Sequence, residues 1–166
     1  MQYEKERQKL IECARTMERY GLVMLSGGNV SMRITENSFL VTPSAMPYDT
    51  MMPEDIVLID ADGNVLEGVR RPTSDMLAIL YIFAHMPDVN VVLHTHQPQA
   101  VAVSLVADYL PVISTTMVDE LHAEVPVAPF TITSDIGMGI AVMEHVGKAL
   151  AVILKHHGVI AYGKNL

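Results

Sequence analysis

The chain has 166 residues, 50% of them hydrophobic and 18% charged, with a formal net charge of −8. A chain of this length holds one domain with a sizeable core, and no apolar run approaches the ~20 residues of a membrane-spanning helix. The acidic balance argues against nucleic acid, whose phosphates call for clustered Lys and Arg, and no such cluster exists beyond Arg70-Arg71.

Residues 3–20 read as an amphipathic helix, with Leu10, Ala14 and Met17 on one stripe and Gly21 suited to the left-handed position after its end. Ser26-Gly27-Gly28-Asn29 reads as a loop that leads into short strands near 29–34 and 38–42. Pro43, Ser44 and Pro47 break the pattern. Ile56–Ile59 and Val65-Leu66 flank Ala61-Asp62-Gly63-Asn64, a hairpin signal because Gly and Asn tolerate positive φ. Pro72-Thr73-Ser74-Asp75 opens a helix that runs to about His85 and stops at Pro87. Val91-Val92-Leu93 begins a strand that carries His94 and His96, and Gln97 to Ala107 suits a helix. The segments 112–116 and 125–127 read as extended. Ser134-Asp135 opens another helix, with Ile136, Ile140 and Met143 spaced for burial. Residues 151–154 and 159–162 are strand-like. The whole predicts a mixed α/β fold, a mostly antiparallel sheet flanked by helices in three layers, without repeats or linkers.

A mean hydropathy of +0.29 is high for a soluble monomer and points to apolar subunit contacts. The single cysteine, Cys13, has no internal disulfide partner, and no apolar signal segment follows Met1, which predicts a cytoplasmic address.

The chemistry concentrates on histidine. In a strand, His94 and His96 point to one face about 6.6 Å apart along it, and two such imidazoles can share one divalent ion. His157, in a His-His-Gly turn, is the candidate third ligand. Asp75 has two readings. Alone it is a helix-start charge; beside the histidines it is a fourth ligand or an acid/base. Gly28 and Asn29 in a glycine loop, Ser44 after a strand, and Thr73 and Ser74 at a helix start form a candidate anion site, because glycine loops and helix N-termini present free amides.

Six stretches carry a resemblance to a known family: Gly28-Asn29-Val30-Ser31, Val41-Thr42-Pro43-Ser44, Pro72-Thr73-Ser74-Asp75, Val92-Leu93-His94-Thr95-His96, Val125-Pro126-Val127-Ala128-Pro129, and residues 157–163. In this order, across nearly the whole chain, they resemble the class II aldolase/adducin family, which includes fuculose-phosphate aldolase and ribulose-phosphate 4-epimerase. The resemblance implies Zn2+ or another divalent ion on His94, His96 and His157, and a substrate phosphate held by Gly28, Asn29, Ser44, Thr73 and Ser74. It also implies a homotetramer with sites between subunits. Residues 1–166 then form one aldolase/adducin-like domain, and the family's helical tail is expected beyond it. The implied activity is retro-aldol C3–C4 scission of a ketose phosphate through a metal-stabilised enediolate. The alternatives are a ribulose-phosphate 4-epimerase that uses the same step and a non-catalytic adducin-like interaction module.

Branch markers conflict. Asp75 matches the epimerase branch, where aldolases carry Glu. Thr115 stands where aldolases carry a tyrosine. Thr115-Thr116-Met117-Val118-Asp119 matches the epimerase Thr-Thr-His-Ala-Asp run only in part, which makes Asp119 a second candidate proton-transfer residue. Thr42 replaces the epimerase phosphate-binding lysine, and the short spacing from Pro129 to His157 is of the aldolase type.

Overall fold

The computed structural model describes residues 1–166. Along the chain run α1 (Glu4–Arg19), β1 (Asn29–Thr35), β2 (Ser38–Val41), β3 (Val57–Asp60), β4 (Val65–Glu67), α2 (Met76–His85), β5 (Val91–Thr95), α3 (Pro98–Val106), β6 (Tyr109–Leu110), α4 (Thr115–Leu121), β7 (Val125–Ala128), α5 (Ile136–His145), β8 (Ala151–Leu154) and β9 (Gly158–Gly163). The nine strands form one sheet in the order β4-β3-β2-β1-β5-β9-β8-β7-β6. All neighbours are antiparallel except β7 and β8. The expected mixed, mostly antiparallel α/β architecture is present.

Alternation along the strands separates the two faces, because successive side chains point to opposite sides of a sheet. Phe39, Val41, Val57, Ile59, Val92, Val152, Leu154 and Ile160 face one way and pack with Ile79, Ile82 and Phe83 of α2 and Met138, Ala141 and Val142 of α5. Val30, Leu40 and Leu58 face the other way, beneath Leu10, Ile11, Ala14 and Met17 of α1. On that same side Ala151 and Ile153 meet Ala100 and Val103 of α3. The result is helix, sheet, helix. Each fully buried aromatic carries much of the core energy; truncating Phe83 to alanine would cost about 3–5 kcal/mol.

Two local expectations are corrected. Thr115 and Thr116, expected extended, open α4, because Ser114 caps the helix by accepting from the Met117 N–H at 3.2 Å. In α5 the expected stripe Ile136-Ile140-Met143 is not the buried one; Ile136 is exposed, and Met138, Gly139, Ala141 and Val142 are buried. Gly139 sets this face. A Cβ there would lie 2.6 Å from the Ala78 carbonyl oxygen, so only glycine lets α5 lie this close to α2.

Candidate active site

The middle of the sheet builds the histidine cluster. His94 on β5 pairs with Asn29 on β1 and with Ile160 on β9. His96 lies just past the end of β5. His157 lies in the turn between β8 and β9, closed by its N–H donating to the Leu154 carbonyl at 3.1 Å. His156 occupies the left-handed region, φ 60°, and its side chain is exposed outside the cluster. The glycine that follows is obligatory: a Cβ on Gly158 would lie 2.0 Å from the Thr95 carbonyl oxygen. That approach carries His157 across the sheet to a partner 63 residues away in sequence.

The three rings converge. The Nε2 of His94 lies 3.0 Å from Nε2 of His96 and 3.2 Å from Nε2 of His157. The ligating atoms all fall within 4.8 Å of one another. His94 Nδ1 lies 3.0 Å from the Val159 carbonyl, which only accepts, so Nδ1 carries the proton and Nε2 presents its lone pair. His94 is fully buried, and its pKa is pushed down to about 3 by burial first and by His157 and His96 next. Burial also lowers His96 and His157, while Asp75 pulls both upward. All three therefore stand as neutral imidazoles near neutral pH, the form that ligates metals. Nitrogens held at ~2.0–2.1 Å by one tetrahedral ion stand about 3.3 Å apart. The observed spacings of 3.0 and 3.2 Å fit such an ion.

Asp75 stands beside the cluster. It is buried, its Oδ2 is 3.9 Å from His94 Nε2, and it accepts from Asn29 Nδ2 at 2.9 Å. Because His94 is neutral, this is a polar contact and not an ion pair. Asp75 occupies the position that precedes α2, yet its side chain makes no capping hydrogen bond. The carboxylate turns inward to Asn29 and the histidines.

The loops proposed to hold an anion are knitted together around Asp75. The Thr73 N–H donates to the Thr42 carbonyl at 3.0 Å, and the Ser44 N–H donates to the Arg71 carbonyl at 2.9 Å. Thr42 Oγ1 accepts from the Val30 N–H at 3.2 Å, which ties the same segment to β1. Gly28 has φ 77°, and a Cβ there would lie 2.4 Å from the His94 carbonyl oxygen. Asn29 and Thr73 are buried, Ser44 is half-buried and Ser74 is exposed. Asn29 Oδ1 and His157 Nδ1 are buried without a protein partner. Asp119 is different: it is exposed on α4 and makes no contact with the histidines.

One residue of this region falls outside every motif. Tyr48 is 1% exposed, and its hydroxyl donates to the Gly28 carbonyl at 2.8 Å. An aromatic residue in a proline-bounded loop was the only sequence sign of it. A cavity of about 870 Å³ lies elsewhere, between α1, β1 and β5, and is lined by Cys13, Met17, Met32 and Leu93. It contains no histidine and no carboxylate–imidazole pair. Chemistry, not volume, marks the site.

Known proteins share this chain's sequence pattern and fold. The family described as Class II Aldolase and Adducin N-terminal domain matches residues 8–166. A 5-deoxy-D-ribulose 1-phosphate aldolase from Bacillus thuringiensis serovar kurstaki is 30% identical over 100% of this chain and 78% of its own length. An L-ribulose-5-phosphate 4-epimerase from Salmonella paratyphi B is 29% identical over 98% of this chain and 76% of its own. The solved structure of an L-fuculose 1-phosphate aldolase superposes with a TM-score of 0.88 at 27% identity, over 96% of this chain and 76% of that one. With its fold, its order of motifs and its three-histidine cluster in place, the chain belongs to the class II aldolase/adducin family, on the enzymatic side that holds the aldolases and the epimerase.

Proposed function

We propose that the protein is a divalent-metal-dependent aldolase that cleaves the C3–C4 bond of a ketose phosphate. One observation carries the reading: three neutral imidazole nitrogens converge beside a buried carboxylate, at the point where the Gly28, Ser44 and Thr73 loops meet. His94, His96 and His157 would hold the ion, and zinc suits three nitrogen donors with one position open. A bound ion supplies Lewis-acid charge to the substrate oxygens next to the breaking bond.

The protein's own groups do the rest. Loop amides and hydroxyls at Gly28, Asn29, Ser44, Thr73 and Ser74 bind and orient the phosphate, which fixes the sugar's far end relative to the cluster. Asp75 takes the proton of the hydroxyl whose carbon becomes the aldehyde and returns a proton to the remaining fragment. Asn29 holds the carboxylate in line for that exchange through its 2.9 Å hydrogen bond. The buried setting of His94 and Asp75 keeps bulk water from competing for the proton.

A second reading, 4-epimerisation through the same bond cleavage, is favoured by Asp75 in place of glutamate, by Asp119 and by the epimerase relative. It ranks second because Asp119, its candidate second acid, has no contact with the cluster within one chain. A non-catalytic interaction module does not call for three converging histidines.

A homotetramer is part of this proposal, supported by the exposed apolar side chains of Val106, Ile113, Phe130 and Ile132. So are a single domain, a cytoplasmic setting and no partnership with nucleic acid, the last on the net charge of −8. No helix is long and apolar enough to cross a membrane.

The test is aldehyde release across a panel of ketose 1- and 5-phosphates, before and after chelation and metal return. Metal-dependent aldehyde release supports the aldolase. Epimeric product without free aldehyde shifts the assignment to the second reading. Neither product from a metal-loaded protein overturns both.

A further inference from the structure

Tyr48 lies between the α1 core and the glycine loop. Its ring is buried among Leu10, Ile11 and Ala14 on the α1 side of the sheet. Its backbone is gripped from α1 by Arg15, whose guanidinium donates to the carbonyls of Tyr48 at 3.0 Å, Asp49 at 3.1 Å and Met51 at 2.9 Å. The hydroxyl reaches out of the core toward two successive carbonyls, Gly28 at 2.8 Å and Gly27 at 3.4 Å. Burial, then the nearby Glu18, Cys13 and Asp75, raises the phenol's pKa well above its ordinary value, so it remains a donor at all working pH values.

A trans peptide points its N–H opposite to its C=O. Carbonyls of Gly27 and Gly28 turned toward Tyr48 therefore turn the N–H groups of Gly28 and Asn29 away from it, that of Asn29 into the β1–β5 ladder beside His94. The Gly28 N–H donates to nothing within the chain. The loop itself has no slack: a Cβ on Gly27 would lie 2.9 Å from His96 Nδ1, and one on Gly28 would lie 2.4 Å from the His94 carbonyl. A tilt of these peptides would disturb both the free amide and the packing on His96.

We propose that Tyr48 is a positioning residue for substrate phosphate: by holding the Gly27 and Gly28 carbonyls, its hydroxyl fixes the loop so that the free Gly28 N–H faces the anion. The inference rests on the reading of Gly28 and Asn29 as phosphate ligands. It extends the site to a residue that never touches substrate.

The test uses the purified full chain with matched metal content, and inorganic phosphate as the probe. Tyr48→Phe keeps the ring and removes only the donor. The expected result is about tenfold weaker phosphate binding by calorimetry, with KM raised by a similar factor and kcat and metal content little changed. Tyr162→Phe is the control. It removes another buried hydroxyl, one that donates to the Ala149 carbonyl at 2.9 Å, and it lies outside the site. The control should lower Tm comparably and leave phosphate affinity intact. Equal loss of phosphate affinity in both variants, or none in Tyr48→Phe, overturns the proposal. Absence of phosphate binding in the unmodified protein overturns it together with the loop assignment. If Tyr48→Phe does not fold, Arg15→Met loosens the same segment from behind and should raise KM in the same direction; an unchanged KM in that variant counts against the proposal.

Discussion

Asparagine at position 75 separates chemistry from folding, because it keeps the size and hydrogen-bonding capacity of Asp75 and removes its charge. The structural cost follows from the contacts. Asp75 makes no capping bond, so its value to α2 is only that of a negative charge near a helix start, about 0.3–1 kcal/mol. Its 2.9 Å bond from Asn29 falls from a charge-assisted bond, worth about 1.5–3 kcal/mol, to a neutral one worth about 1 kcal/mol. The two losses overlap, and together they amount to about 1–2 kcal/mol, or about 2–8 °C in Tm for a chain of this size. The catalytic cost is of another order. Loss of a positioned acid/base should cut turnover by about 10²–10⁴-fold. Loss of a carboxylate beside the imidazoles should weaken metal binding by about 10–100-fold. Asp75→Asn is therefore assayed at saturating metal for aldehyde release from the best ketose phosphate, with Tm by calorimetry and metal content by elemental analysis. Turnover within a few-fold of normal, at full metal loading, refutes the catalytic assignment and leaves Asp75 as a structural charge.

Other expected outcomes follow from the same contacts. Joint replacement of His94 and His157 by alanine should abolish retention of the bound divalent ion, and an unchanged stoichiometry by elemental analysis would remove the metal-site assignment. Metal-free protein should lose stability as pH falls. His94, held neutral with a pKa of about 3, binds fewer protons folded than unfolded, so the loss begins below the unfolded value and continues down to the folded one. From an unfolded value of about 6.5, the His94 contribution at pH 5 is a loss of about 2 kcal/mol, and identical denaturant midpoints at pH 7.5 and pH 5 would contradict it. Gly158→Ala forces a Cβ to within 2.0 Å of the Thr95 carbonyl, so β9 must shift; urea unfolding should show a loss above about 3 kcal/mol, and a near-wild-type midpoint would show that the strand can adjust.

Much of the site was readable from the chain because its parts are local. The His94-Thr95-His96 spacing places two imidazoles on one face in any strand, and the residue types from Pro72 to Asp75 mark a helix start even though Asp75 itself makes no capping bond. The fold class followed from strand alternation in the same way. What could not be read depends on distant neighbours. Either stripe of α5 has helical spacing, and the choice between them came from Gly139 meeting Ala78, a contact between segments about 60 residues apart. Thr115 and Thr116 favour extended backbone as β-branched residues, and the Ser114 cap overrode that preference. Tyr48 carries no motif, and its position against the glycine loop appears only when α1 and the sheet are packed.

The strand order has a consequence for how the site comes into being. β9 is the ninth strand along the chain but sits sixth across the sheet, between β5 and β8. Without it the strands fall into two ribbons, β4-β3-β2-β1-β5 and β8-β7-β6, with no pairing between them. Until β9 inserts, β5 is an exposed apolar edge, open to pairing with other chains. The same insertion brings Gly158 against Thr95 and swings His157 onto His94. Joining the ribbons and completing the trio of imidazoles are thus one event, late because it waits on contacts far apart in sequence. The moment at which a refolding chain first captures metal should report the moment at which its two half-sheets become one.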